Sequence, residues 1–216
     1  MSTWHEFTLL FYLITEKMTS RAVLGSSHAR FLGVMKDTDV ISIGGGTFPI
    51  LTNYVKSVEG SSLLKQKKTI LILAGGNDID RADHSKIPLI LLSLSSLIKC
   101  IRLLNCTATI IVASPLPRPA RDPKDLRLSF SQSLKAFLSD MDNCRFLNLE
   151  KSFCVGRKSA NPADGALFDW SGPYPGVHLL QQSSFLLKGR ICQGLGASAN
   201  PHLAGSLRRR KSSQFK

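Results

Sequence analysis

The sequence is short of acidic residues, of paired cysteines and of long apolar runs, and each shortage closes a route. Asp and Glu number 15 against 28 Lys and Arg, a formal net charge of +13 at pH 7, so polyanions are the favoured class of charged partner. The five cysteines, Cys100, Cys106, Cys144, Cys154 and Cys192, are widely spaced and contain no C-x-x-C pair. An odd, scattered set argues against both a disulfide framework and a zinc site and fits reduced thiols in the cytoplasm or nucleus. The N-terminal stretch FTLLFYLITEK is apolar over about nine residues, well short of the roughly 20 that a membrane span needs. Glu6 stands ahead of it where a secretory signal would carry basic residues, and no clean cleavage site follows. No membrane span is expected, and residues 1–20 read as an N-terminal extension, with Met18 as a conceivable downstream start. Neither a P-loop pattern nor a clean G-x-G-x-x-G occurs, and there is no internal repeat.

At 216 residues with 43% hydrophobic content, the chain can fill one core and is too short for two comfortable domains. Residues 21–195 read as that domain and 196–216 as a basic, disordered tail. Within the domain, short β-branched runs alternate with longer amphipathic segments, the pattern of βαβ units around a parallel sheet. RAVLG and DVISIGGG read as strands separated by a short helix from about Ala29 to Lys36. TILILAGGND reads as a central strand, apolar on both faces. In SKIPLILLSLSSLIKCIRLLN, residues Leu91, Leu94, Leu97, Ile98 and Ile101 recur at helical spacing. TATIIVASPLPRP is a strand stopped by its prolines, LRLSFSQSLKAFLSDM a helix and CRFLNLEKSF a fifth strand. GVHLLQQSSFLLKGRICQGL closes the chain as a helix, after a long Gly- and Pro-rich loop.

In an open parallel sheet, chemistry collects where strands end and helices begin. Three such ends carry unusual residues: Gly25 to His28, Gly44 to Thr47 and Gly75 to Asp78. Ser27 falls at the start of a helix, where free N–H groups favour a developing anion; its bland reading is an N-cap. Gly45 offers an unobstructed N–H to an oxyanion or merely a tight turn. Asn77 supplies an amide donor beside the same edge, or is a turn asparagine. His178, late in the chain, is a candidate base or a surface histidine.

Taken in order, Gly25-Ser26-Ser27, Gly45, Gly75-Gly76-Asn77-Asp78 and His178 resemble the blocks of the SGNH hydrolase superfamily, the GDSL-type esterases, over roughly residues 21–195. The resemblance implies a three-layer, flavodoxin-like α/β sandwich with a central parallel sheet. It also implies Ser27 as nucleophile and His178 as base. The Ser27 and Gly45 N–H groups and the Asn77 amide would form the oxyanion hole, a small ester would be the substrate, and no cofactor or metal is expected. The variants GSSHARFL, GGG and PGVHL look closest to the esterase-like domains of metazoan non-LTR retrotransposon first reading frames.

Two departures stand out. Ser26 replaces the usual aspartate of the first block, and Pro175 stands where the last block, D-x-x-H, carries its acid. Asp169 is the nearest upstream carboxylate, and a backbone carbonyl is the other candidate for orienting the imidazole. A domain that keeps the fold without turnover, binding nucleic acid or another polyanion, is therefore the alternative function.

The tail concentrates Arg208, Arg209, Arg210, Lys211 and Lys216 where little can be buried. Each phosphate neutralised by such cations releases condensed counterions. Weak, sequence-independent binding to nucleic acid is expected in low salt, with deletion of residues 206–216 lowering affinity and flattening its salt dependence in a titration; unchanged binding would assign the cations no such part.

Overall fold

Strands apolar on both faces must lie inside a sheet covered on both sides, and three of the five strands among the described residues are of this kind. The computed structural model describes residues 19–80, 82–118, 124–153, 167–171 and 176–196. Residues 197–216 of the tail, most of the N-terminal extension, Cys154 and Pro175 lie outside the described residues. The strands are β1 (Arg21–Gly25), β2 (Thr38–Ser42), β3 (Thr69–Leu73), β4 (Thr109–Ala113) and β5 (Cys144–Leu147). All pairings are parallel and the order is β2-β1-β3-β4-β5. The last four residues of β1, β3 and β4 are buried, whereas the edge strands β2 and β5 are half open.

The helices are α1 (Phe48–Lys56), α2 (Val58–Leu64), α3 (Gly76–Ile79), α4 (Ile87–Leu104), α5 (Lys124–Ser139), α6 (Glu150–Phe153) and α7 (Gln181–Gly194). Alternation along each strand divides the core. Leu24, Ile70, Ile72, Ile110 and Val112 face α1, α4 and α5, while Val23, Leu71, Leu73 and Ile111 face Leu32, Phe153, Leu187 and Ile191 on the other side. The expected three-layer α/β sandwich is the observed one. Strand order reverses at the β1–β3 boundary, where the crevice of such a fold opens.

The periodicity reading leaves the segment between β2 and β3 unassigned, and it holds α1 and α2. Pro49 and Gly60 look like helix breakers there. Pro49, however, occupies the first turn of α1, where its missing N–H is not needed. Gly60 is required because a Cβ would lie 2.1 Å from the Tyr54 carbonyl oxygen. The fifth strand is shorter than the sequence suggests, since CRFL pairs and EKSF coils into α6.

Helix α4 with the turn before it, His84–Leu104, is long and apolar enough to cross a membrane by composition (mean hydropathy 1.9). Its stripe of Ile90, Leu94, Leu97, Ile98 and Ile101 is nevertheless packed in the core, as a helix covering a sheet requires. Leu91 sits only partly buried at the margin of that stripe.

One charge is buried in the second layer. Arg127 on α5 is 1% exposed and pairs with Glu150 on α6, which the Ser131 hydroxyl also approaches at 3.4 Å. Removing Glu150 takes away a carboxylate that compensates this buried charge. Glu150→Ala is expected to cost about 3 kcal/mol, read as a lowered urea midpoint with unchanged slope; a loss within about 0.5 kcal/mol would mean that this pair contributes little to stability.

Candidate functional site

At the end of β1 there is no room for a side chain. A Cβ on Gly25 would lie 2.8 Å from the Ala29 methyl and 2.9 Å from the Leu73 carbonyl oxygen, so the first block needs glycine there. The chain turns at once. The buried Ser26 donates its N–H to Leu73 O (3.0 Å), and its carbonyl accepts from Ala29 N–H (2.9 Å) and the Ser42 hydroxyl (3.1 Å). With its backbone fully bonded, Ser26 fixes the turn and Ser27 opens it, half buried. The element that follows is a 3-10 helix, Ser27–Leu32, rather than the expected helix from Ala29 to Lys36. The turn ends at Gly33, at φ +55°, and Val34 beyond it is 92% exposed before Met35 returns to the core.

The second and third blocks are tied to this turn. Ile43 N–H donates to Gly25 O (2.9 Å), and the loop then passes through Gly45, exposed at φ +66°, a conformation suited to glycine. Asn77, in α3 at the end of β3, donates Nδ2–H to Gly46 O at 3.0 Å. Its neighbour Asp78 accepts the Phe48 N–H at 3.0 Å, joining the third block to the start of α1. Burial pushes the Asp78 carboxyl up to about 6, against the bonds from the Phe48 and Asp78 N–H groups and the charge of Arg118.

His178 arrives from the other end of the chain. It lies outside the closing helix, in a short antiparallel bridge that pairs Phe168 with Leu179, and Asp169 N–H donates to His178 O at 2.8 Å. The imidazole meets the Ser27–Leu32 turn along its length. Its centroid is 6.0 Å from that of His28 and 5.9 Å from that of Phe31, and its Nδ1 lies 3.4 Å from an Arg30 guanidinium nitrogen. Since Arg only donates, Nδ1 is the acceptor of that contact. Desolvation first, then the charges of Arg30 and Arg118, hold the His178 pKa below the usual histidine value, and Asp169 opposes them. The Asp169 Oδ1 accepts from the Ser171 N–H (2.9 Å) and hydroxyl (2.7 Å). Asp169 is thus alongside His178 as the sequence suggests, while Pro175 lies outside the described residues.

The structure places Ser27, Gly45 and Asn77 just beyond the carboxyl ends of β1, β2 and β3, and His178 against the Ser27–Leu32 turn through His28, Arg30 and Phe31. It also adds three residues that the motifs do not flag. His28 is buried, and its Nε2–H donates to Val177 O at 3.0 Å, pinning the segment that carries His178. Arg30 faces Nδ1. Arg118, from the PLPRP run after β4, donates to Asn77 Oδ1 at 2.8 Å and to Asp80 at 2.7 Å. The prolines mark only the end of a strand; a single arginine among them carries no recognisable signal.

The same architecture recurs among solved structures. An acetyl xylan esterase aligns with a TM-score of 0.62 at 14% identity over 81% of this chain and 98% of that one. A Streptococcus pneumonia protein named for platelet activating factor aligns at 0.64, with 15% identity over 90% of this chain and 100% of that one. A member of the lipolytic G-D-S-L family from Veillonella parvula aligns at 0.54, with 15% identity over 80% and 96%. The chain has the SGNH-hydrolase fold. No protein-family model matches the sequence, and no curated protein matches it. At such identities the agreement is one of fold.

His28 makes the site sensitive to acid. Burial, with Arg118 the next cause, lowers its pKa from 6.5 to about 3, so the folded state holds this imidazole neutral while the unfolded chain takes up a proton below 6.5. Stability therefore falls as pH drops from 6.5 towards 3. Asp78 works in the opposite direction, since it keeps its proton up to about 6 when folded. His28→Gln keeps an N–H donor without the titration, and its melting temperature is expected to fall less than that of wild type between pH 7 and pH 4.5; equal falls would exclude His28 as the source.

Proposed function

We propose that the chain is a serine esterase acting on small carboxylic esters through an acyl-serine intermediate. What supports this reading is that Ser27, Gly45 and Asn77 follow the ends of three adjacent parallel strands while His178 packs on the Ser27–Leu32 turn, in a fold whose solved examples include esterases.

In the proposed reaction Ser27 Oγ attacks the ester carbonyl while His178 takes the hydroxyl proton. The carbonyl oxygen gains the negative charge and is received by the Ser27 and Gly45 N–H groups and the second N–H of Asn77. Collapse of the tetrahedral adduct expels the alcohol, which leaves with the proton from His178. Water then repeats the sequence on the acyl-serine, with His178 again accepting and returning one proton, and releases the acid. No residue outside this chain is needed to balance either half.

Arg30 favours a second reading. A guanidinium at Nδ1 disfavours the imidazolium that must form, and in the neutral ring it leaves the proton on Nε2, the opposite of what a carboxylate partner enforces. Turnover is accordingly expected to be slow. In the limit the domain is a non-catalytic, retroelement-derived module that keeps the fold and binds a polyanion.

A fluorophosphonate probe separates the two. Labelling is expected at Ser27 and abolished in Ser27→Ala, with hydrolysis of a short-chain aryl ester lost in parallel. Asn77→Ala is expected to lower kcat by about 10²-fold with folding intact. Absence of label, or equal hydrolysis by wild type and Ser27→Ala, would leave the non-catalytic reading.

A further inference from the structure

Arg118 is 4% exposed, and its guanidinium is spread over two acceptors from one short segment, Asn77 Oδ1 and Asp80 Oδ2. Its third donor, Nε, is buried with no hydrogen-bond partner among the described residues. A side chain kept in place for stability alone would not leave a buried donor unmet. Its planar fork, in contrast, suits the task of holding two oxygens at a set distance.

We propose that Arg118 is the positioning residue of the oxyanion hole: by donating to Asn77 Oδ1 it dictates which way the Asn77 amide faces. An asparagine amide can flip, exchanging its oxygen for its nitrogen. Arg118 has donors only, so oxygen must meet it and nitrogen must turn away. The Nδ2 group then spends one hydrogen on Gly46 O at 3.0 Å and keeps the other for the oxyanion of the proposed reaction. Flipped, the same amide would set an N–H against the guanidinium and an oxygen against the Gly46 carbonyl, two repulsive contacts in place of two bonds. The second glycine of the GGND block follows from the same contact, because a Cβ on Gly76 would lie 2.4 Å from the Arg118 terminal nitrogen.

This role rests on the esterase reading, and the test keeps the two apart. Arg118→Lys keeps the charge beside Asp80 but cannot serve both oxygens at once. Gly76→Ala moves the guanidinium without changing its charge, and is the second variant should the first lose its fold. Each is expected to lower kcat about tenfold with KM unchanged, and to have no further effect in an Asn77→Ala background. Losses that simply add to that of Asn77→Ala, or unchanged kcat in both variants, would overturn the proposal.

The nitrogen-15 NMR signals of the Asn77 side-chain amide need no turnover. They are expected to shift, and their hydrogens to exchange about tenfold faster, in either variant. Unmoved signals would overturn the proposal even in an active enzyme. Shifted signals in a protein that hydrolyses no ester and takes no fluorophosphonate would uphold the clamp and overturn the hydrolase.

Discussion

The level ending of three parallel strands is the constraint on which the rest depends. Gly25 pairs in register with Ser42 on one side and Leu73 on the other, so β1, β2 and β3 release their chains at the same height. Because Gly25 has no side chain, the turn after β1 can press against Leu73 and Ala29. That contact sets where Ser27 begins. Ile43, bonded back to Gly25, brings the glycine loop, and Asn77, bonded to Gly46, brings the third block. Each link is a backbone bond or a bond to backbone, which is why short motifs of small and amide residues suffice.

Onto this edge the fold imports positive charge. Arg30 and Arg118 both depress the two histidines, and Asp169, which acts against them at His178, also accepts from Ser171. Burial dominates at His28, so that imidazole serves as a neutral strut to Val177 and not as a base. His178 is half exposed, with the Arg30 guanidinium at Nδ1 disfavouring its protonated form.

The strands, the long helices and the order of the site blocks were legible because each rests on local pattern. Three buried strands announce themselves by β-branched runs, and α4 by its stripe at three- and four-residue spacing. Helices α1 and α2 were not legible, since a proline in a first turn and a glycine pressed against Tyr54 look like breaks until the neighbouring backbone is known. Nor was the 3-10 form of the Ser27 turn, which ends at Gly33 with φ +55°.

By itself, then, the sequence determined the layer architecture and four candidate residues, because strand period, helix period and short motifs are local properties. Only the tertiary structure decided what surrounds them. Arg30 reaching His178, His28 reaching Val177 and Arg118 reaching Asn77 are contacts across 148, 149 and 41 residues. Spacing along a chain carries no trace of such pairs, because they exist only once parallel strands have brought distant loops to a common edge.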